Sequence, residues 1–227
     1  MSASPLEATP RLYRGSALVA GARVAARAWR VLLPVVVLQA VAQALLVLPD
    51  PVPGQSVAAA VLALVSFLVL AAALAAAVSG VLGSVDGSRG WAPVLALVRR
   101  RGPVLALWFL AWLVAMSVGL ALWTVPGVLV VLLTPYIFLA AIDRGAKALT
   151  VNLAVIRARP GRWLVTSALI GGLVGLSWFL AAVSGLFLPG PASALLTWLW
   201  CGLMATWILA TWAVVYRSTP AGAAPPQ

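Results

Sequence analysis

The stretch GPVLALWFLAWLVAMSVGLALWTVPGVLVVLLTPYIFLAAI, residues 102–142, decides the fold, because it contains no Asp, Glu, Lys, Arg or His. An α-helix rises 1.5 Å per residue, so this stretch as one helix would reach about 60 Å, roughly twice the thickness of a bilayer's hydrocarbon core. The chain therefore has to fold back within it. Pro126 and Gly127, in the segment WTVPG at 123–127, disfavour a continuous helix. We expect transmembrane helices near residues 103–123 and 126–142.

The remainder of the chain is equally apolar. Hydrophobic residues make up 64 % of the 227 residues, charged residues 8 %, and the mean hydropathy is +1.11. This composition excludes a water-soluble domain with a polar surface. Four further runs reach the length of a spanning helix, about 20 residues, and Pro and Gly mark the turns PDPVPG and LPGPA. These runs are residues 31–48, 56–82, 163–186 and 193–216.

We therefore predict an all-α integral membrane protein of six transmembrane helices arranged as three hairpins. The six helices form a single domain over residues 1–217. The tail STPAGAAPPQ, residues 218–227, lacks apolar periodicity, so we expect it to be disordered.

The cations predict the orientation of these helices. All fifteen Lys and Arg residues lie before, between or after the hairpins, and the three predicted outer turns contain none. Short loops rich in Lys and Arg stay on the cytoplasmic side, so we expect a multi-pass protein of the cell membrane with both termini cytoplasmic. The net charge of +11 is then mainly a topology signal, with a dedicated basic binding site as the alternative. Nucleic acid is excluded as a partner, because no soluble domain remains to present a basic groove.

The segments that carry the cations resemble one another. Each begins with Arg-Gly, continues through an Ala- and Val-rich stretch, gathers cations and enters a predicted span. These features indicate degenerate repeats over residues 13–87, 88–142 and 143–217, although Arg-Gly recurring by chance stays an alternative.

Helical spacing within these segments predicts amphipathic helices at the membrane surface. Arg23, Arg27 and Arg30 follow at i, i+4 and i+7, which places them on one helical face. We expect an interfacial helix on the cytoplasmic side before each hairpin, with cations towards anionic lipid headgroups. The candidate contacts to anionic lipid are Arg23, Arg27, Arg30, Arg99, Arg100, Arg101, Arg157, Arg159 and Arg162.

The third basic segment, DRGAKALTVNLAVIRARPGRW at 143–163, resembles a family. It is similar to bacterial polytopic proteins related to the membrane domain that precedes the catalytic domain of some glycerophosphodiester phosphodiesterases. The matching residues are Asp143 for the family's acid, Gly145 for its Gly, Ala148 and Leu149 for its Ala-Leu pair, and Trp163 for its aromatic residue. The inserted Arg144, and Asn152 at the usual Ser, depart from the pattern. The resemblance covers about twenty residues, and the chain has no phosphodiesterase catalytic domain.

Few residues can carry chemistry. The chain has no His and only four acidic residues, of which Asp86 and Asp143 alone share a predicted boundary. We interpret both as helix-start residues that bind free backbone N–H groups. The alternative is a lipid-headgroup enzyme in which the two acids act with arginines that hold the phosphate. The single Cys201 implies no disulfide framework and no metal cluster, so we predict no catalytic, cofactor or metal site.

Polar and small residues inside the spans favour packing. Gln39 and Gln43 lie at i and i+4 in the first span, where they either hold helices together or line a hydrophilic path. Ser167, Gly171 and Gly175 form a ridge that predicts close helix packing.

Three functions follow as hypotheses. We predict a non-catalytic accessory or scaffold component of the cell envelope, not an enzyme, with membrane lipids and another membrane subunit as partners. The alternative is a transporter or permease subunit for an apolar or lipid-like substrate, because the spans lack the ionisable groups of ion-coupled transport. A membrane enzyme acting on lipid headgroups is the third.

Overall fold

The computed structural model describes residues 16–46, 57–88, 90–187 and 190–222, and all regular structure in these ranges is helical. Short 3₁₀ turns at Gly145–Lys147 and Pro220–Gly222 accompany the α-helices. The α-helices are α1 (Ala17–Arg27), α2 (Trp29–Leu46), α3 (Val57–Val85), α4 (Trp91–Leu122), α5 (Thr124–Leu133), α6 (Ile137–Arg144), α7 (Ala148–Ala158), α8 (Pro160–Phe187) and α9 (Gly190–Arg217).

Several of these helices fit a membrane protein. Among the described residues, four are long and apolar enough to cross a bilayer: Trp29–Leu46, Val57–Val85, Trp91–Leu122 and Pro191–Arg217. A fifth candidate arises if the broken pair around residues 134–136 counts as one span. Large apolar side chains on the first half of α3 and the second half of α4 are exposed, which suits contact with lipid. The all-helical prediction is confirmed, and the structure shows four or five candidate spans.

The second basic segment differs from the predicted interfacial helix. It forms no helix of its own, because α4 continues from Trp91 through Arg101 and Pro103 to Leu122. Pro103 interrupts α4 little, because it removes only one backbone hydrogen bond. The carbonyl that loses this bond belongs to Arg99, which is exposed. The predicted turn near residue 123 is present, since Trp123 separates α4 from α5.

The short helices α1 and α7 each pack against the bundle through one face. On α1, Gly21 lies so close to Thr211 of α9 that a Cβ would overlap it, and the Trp207 indole donates to the Leu18 carbonyl, 3.2 Å away. On α7, Ala148, Asn152 and Val155 are buried. Both helices are therefore tied to the bundle as well as carrying exposed cations.

Close helix packing occurs at glycines other than the predicted ones. A Cβ at Gly119 of α4 would lie 2.7 Å from the Gly127 nitrogen of α5. By contrast, no described atom lies within 4 Å of an ideal Cβ at Gly171 or Gly175. The prediction of a packing ridge on α8 is therefore not supported by the described residues.

The buried core lies towards one end of the bundle. Its most enclosed members come from the second half of α3, from α6 and from the last turns of α9, for example Val81, Leu139 and Val215, each at most 1 % exposed. The ends of α3, α6 and α9 and the start of α4 meet beside this core, and the candidate site lies there.

Candidate functional site

Arg217, the last residue of α9, joins two carboxylates that are distant in sequence. Its Nε and Nη2 donate to Oδ1 and Oδ2 of Asp86 at 3.0 and 2.8 Å. Its Nη1 and Nη2 donate to Oδ2 and Oδ1 of Asp143 at 2.9 and 3.2 Å. The side chain of Arg217 is only 8 % exposed, so its charge-assisted bonds to the buried Asp143 lie largely away from water, whereas those to Asp86 are more exposed.

Asp143 has two further donors. The hydroxyl of the buried Tyr216 donates to its Oδ2 at 2.8 Å, and Nε of Arg144 donates to the same oxygen at 3.1 Å. We name Asp86, Asp143, Tyr216 and Arg217 the Arg217 network. It connects the ends of three helices.

Helix geometry explains why this network needs an arginine. Asp86 directly follows α3, and Asp143 lies in the last turn of α6. The C-terminal end of a helix carries partial negative charge, so a carboxylate there is unfavourable and a cation favourable. Arg217 offsets both carboxylates and also lies at the C-terminal end of its own helix.

The prediction that Asp86 and Asp143 act at helix starts is wrong. The residues that cap α4 and α7 are Gly90 and Lys147, and neither helix start has a side-chain capping bond. Ser88 also donates elsewhere, to the Gly83 carbonyl at 3.1 Å. Both acids instead pair with the buried guanidinium of Arg217. From the sequence alone, Arg217 served only to predict the topology.

The two acids differ in exposure. The Asp86 side chain is 37 % exposed and that of Asp143 only 11 %. Partial burial raises the pKa of Asp86 above its ordinary value, the Arg217 guanidinium opposes this shift, and the nearby Asp143 carboxylate adds to it.

The chain beyond α9 folds back onto the network. Nη1 of Arg217 donates to the Gly222 carbonyl at 2.9 Å, and Pro220–Gly222 form a 3₁₀ turn. Residues 218–222, part of the tail that we expect to be disordered, thus include a 3₁₀ turn, and residues 223–227 lie outside the described residues.

A cavity of about 840 Å³ opens beside the network, and we name it the arginine cavity. The α1–α2 junction, the end of α3, the start of α4, Asp143 and Arg217 line it. Five arginines and two aspartates face it, so its walls carry a net charge of +3. Its charged residues are Arg27, Arg30, Arg100, Arg101, Arg217, Asp86 and Asp143.

The cavity thus brings together four of the nine predicted lipid-contacting arginines. Arg23, Arg99, Arg157, Arg159 and Arg162 do not line it. Sequence reasoning missed Arg217 and Tyr216. A usable signal was present, since Arg217 is the cation that ends the last span and only two acids share its boundary.

A second notable feature is the break between α5 and α6 at residues 134–136. Pro135 lacks an N–H group and disfavours helix at Thr134, which explains the break. Asn152 of α7, fully buried, donates to the Leu133 carbonyl at 2.7 Å and accepts from the Tyr136 N–H at 2.9 Å. The Trp163 indole donates to the Leu132 carbonyl at 2.8 Å. Side chains therefore satisfy three of the backbone groups that the break frees, namely the Leu132 and Leu133 carbonyls and the Tyr136 N–H.

An apolar groove of about 530 Å³ lies beside this break. Side chains of α4, α5, α6 and α7 line it, among them Trp108, Trp112, Leu133 and Leu149. Nε1 of Trp112 donates to the Thr134 hydroxyl at 2.9 Å, so the groove wall is fixed to the break.

The glutamine pair lies on the buried face of α2. Gln43 accepts from the Ser66 hydroxyl at 2.9 Å and donates to the Ser66 carbonyl at 3.4 Å, which links α2 to α3. Gln39 is 7 % exposed. These contacts favour the packing interpretation for Gln43.

Neither metal-binding residues nor similarity to known proteins assigns a function to the described part of the chain. In the described part of the chain, no group of three or more His, Cys, Asp or Glu residues could hold a metal ion. No family model, curated protein or solved structure matches the sequence or the fold. The fold and site therefore define a class: an all-helical protein with several helices that fit a membrane and a cationic cavity at one end of the bundle.

Proposed function

We propose that this chain is a non-catalytic, multi-pass protein of the cell membrane that acts as an accessory or scaffold component of the envelope. In this proposal α8 completes a set of six spans with α2, α3, α4, the α5–α6 pair and α9. Both termini face the cytoplasm. The convergence of basic residues from the α1–α2 junction, α4 and α9 at one cavity supports this orientation.

The proposal rests mainly on the ion pairs that Asp86 and Asp143 form with Arg217. General acid–base chemistry and ion coupling both need a titratable group that is free to exchange protons or to bind an ion. Asp86 and Asp143 instead share one guanidinium, and Asp143 also accepts from Tyr216. Ion pairs from Arg217 to both carboxylates are better suited to joining helices than to catalysing a reaction.

The test compares folding with function in Asp86→Asn and Asp143→Asn. Each variant is expressed in a deletion strain, folded protein is quantified by size-exclusion chromatography in detergent, and restoration of the strain's envelope phenotype is measured. We expect activity per folded molecule to match that of the natural chain. A variant that is fully folded and without activity would show that the carboxylate takes part in chemistry or ion coupling.

The broken helix favours a second candidate, a transporter of apolar or lipid-like molecules. Discontinuous spans near mid-membrane commonly form transporter binding sites, and the groove beside residues 134–136 is lined almost wholly by apolar groups. Against this candidate, Asn152 and Trp163 already satisfy three of the freed backbone groups. Vesicles that contain the purified protein and a fluorescent phospholipid would show faster transbilayer movement of the lipid if the transporter candidate is correct.

The resemblance of residues 143–163 extends the accessory proposal to a partner. A membrane domain like that of the phosphodiesterase family would serve a soluble phosphodiesterase as its partner.

A further inference from the structure

We propose that the arginine cavity binds a phosphate-bearing anion through Arg27, Arg30, Arg100 and Arg101. The inference goes beyond the accessory function and does not depend on it, because it rests on the charge and shape of the cavity alone.

The first step is the imbalance of charge. Arg217 forms ion pairs with both Asp86 and Asp143, so these three residues together carry one negative charge, and the other four arginines bring the cavity walls to +3. Arg27, Arg100 and Arg101 form no hydrogen bond or ion pair with any described residue, and Arg30 lies over the Trp29 ring at 5.8 Å. Like charges gathered in a concave site concentrate the electrostatic potential and attract anions.

The second step is the chemistry of the donors. The planar guanidinium presents N–H groups in a fork that matches phosphate oxygens, and arginine is favoured where phosphate is recognised. Arg27 is the last residue of α1, Arg30 lies in the first turn of α2, and Arg100 and Arg101 are consecutive residues of α4. Donors from three helices can therefore approach one anion from different directions.

Arg101 is placed by a specific glycine. Gly145 has a φ of +62°, and a Cβ at this position would lie 2.7 Å from Nη1 of Arg101. The Trp108 indole donates to the carbonyl of the same glycine at 3.3 Å. The α6–α7 turn thus makes room for the guanidinium beside the cavity, and a residue with a side chain would displace it.

Two further donors lie at the cavity wall. Ser79 of α3 is 2 % exposed, and its hydroxyl has no hydrogen-bond partner among the described residues, which is uncommon for a buried polar group. The start of α4 reaches the cavity at Gly90 and has neither an acidic residue nor a side-chain cap in its first turn. Its free N–H groups and positive helix end favour an anion.

The volume leaves room for a phosphate group together with part of the molecule that carries it. About 840 Å³ lies within the range of ligand pockets, roughly 300–1,000 Å³. The phosphate can belong to the headgroup of an anionic phospholipid or to a soluble phosphate compound. Both sources share the chemistry that the four arginines recognise.

The test uses matched pairs of arginines on the same helices. Arg27→Gln/Arg100→Gln removes two cations from the cavity, whereas Arg23→Gln/Arg99→Gln removes two exposed cations from α1 and α4 outside it. Both variants lose the same charge. Purified full-length protein in a nonionic detergent is titrated with phosphatidylglycerol by native mass spectrometry and with inorganic phosphate by calorimetry, with phosphatidylcholine as the neutral lipid control.

We expect the cavity variant to bind the anionic probe about 25-fold more weakly, from about fivefold per arginine, the equivalent of roughly 1 kcal/mol each. The control variant should bind as the natural chain does. Binding of phosphatidylglycerol alone would identify a lipid headgroup as the ligand, and binding of inorganic phosphate as well would identify a site for soluble phosphate compounds.

Equal weakening in both variants, or binding of neither anion by the natural chain, would overturn the proposal. Arg27→Lys/Arg100→Lys provides a second test that keeps the net charge. Because lysine lacks the guanidinium fork, we expect intermediate affinity for the same probe. Affinity equal to that of the natural chain would refute recognition by the guanidinium groups.

Discussion

Arg217 is the residue on which most of the polar contacts at the basic end depend. It holds Asp86, Asp143 and the Gly222 carbonyl together, with its own side chain 8 % exposed. Without it, Asp86 would lose its counter-charge among the described residues, and Asp143 would keep only that of Arg144. Breaking a buried ion pair by removal of one partner typically costs about 3–5 kcal/mol.

We predict that Arg217→Gln lowers the free energy of unfolding by about 3 kcal/mol, the lower end of that range, because Asp86 remains partly exposed to water. Arg217→Lys should recover only part of the loss, since one ammonium cannot donate to both carboxylates in the same geometry. Thermal unfolding in detergent measures both effects, with the exposed Arg162→Gln as the charge-matched control. Unchanged stability in Arg217→Gln would contradict the role of the network.

Sequence reasoning identified Asp86 and Asp143 as the only acids able to converge, but it could not identify their partner. Arg217 lies 131 positions from Asp86 and 74 from Asp143. Contacts at such separations depend on how the helix ends pack, and hydropathy carries no information about that packing. The packing role of Gln43 was easier to predict, because a buried amide inside an apolar helix needs a hydrogen-bond partner on a neighbouring helix.

The break between α5 and α6 shows that hydropathy also does not determine where a helix ends. Residues 126–142 were predicted as one span from their continuous hydropathy, whereas the structure divides them into α5 and α6. Pro135 was the available signal for the break. The compensation by Asn152 could not be predicted, because it depends on α7 packing beside the break.

We predict that Asn152→Leu lowers the free energy of unfolding by about 3 kcal/mol. The substitution leaves the Leu133 carbonyl and the Tyr136 N–H without partners, and each unsatisfied buried group costs about 1–3 kcal/mol. Thr150→Leu introduces the same side chain at an exposed position of α7 and should change stability little. Equal thermal stabilities for the two variants would show that the break does not rely on Asn152.

At the scale of the whole molecule, composition was sufficient for the fold class, whereas the orientation that the cations indicate stays a prediction. The 64 % hydrophobic content suits a bilayer as the solvent, and the arginines fall between the apolar runs. The boundaries were less predictable. Arg99, Arg100 and Arg101 lie within α4, because the Leu, Ala and Arg residues around them are good helix formers and outweigh Gly102 and Pro103.

The proposed orientation leads to a labelling prediction. Single cysteines are introduced in a Cys201→Ser background at Gln55 and Trp123 for the outer side and at Ala146 for the inner side. Trp123 is 73 % exposed, whereas Gly127 in the same predicted turn packs closely against Leu120 and would label poorly. Ala146 is exposed in the turn that follows α6.

We expect a membrane-impermeant maleimide to label cysteines at Gln55 and Trp123 in intact cells, and to label the cysteine at Ala146 only after the membrane is permeabilised. Because Ala146 lies between Gly145, which contacts Arg101, and Lys147, its side follows that of the arginine cavity. Labelling at Ala146 from outside intact cells would invert the topology. The cavity would then open away from the cytoplasm, and the anion it binds would have to come from the opposite leaflet or from outside the cell.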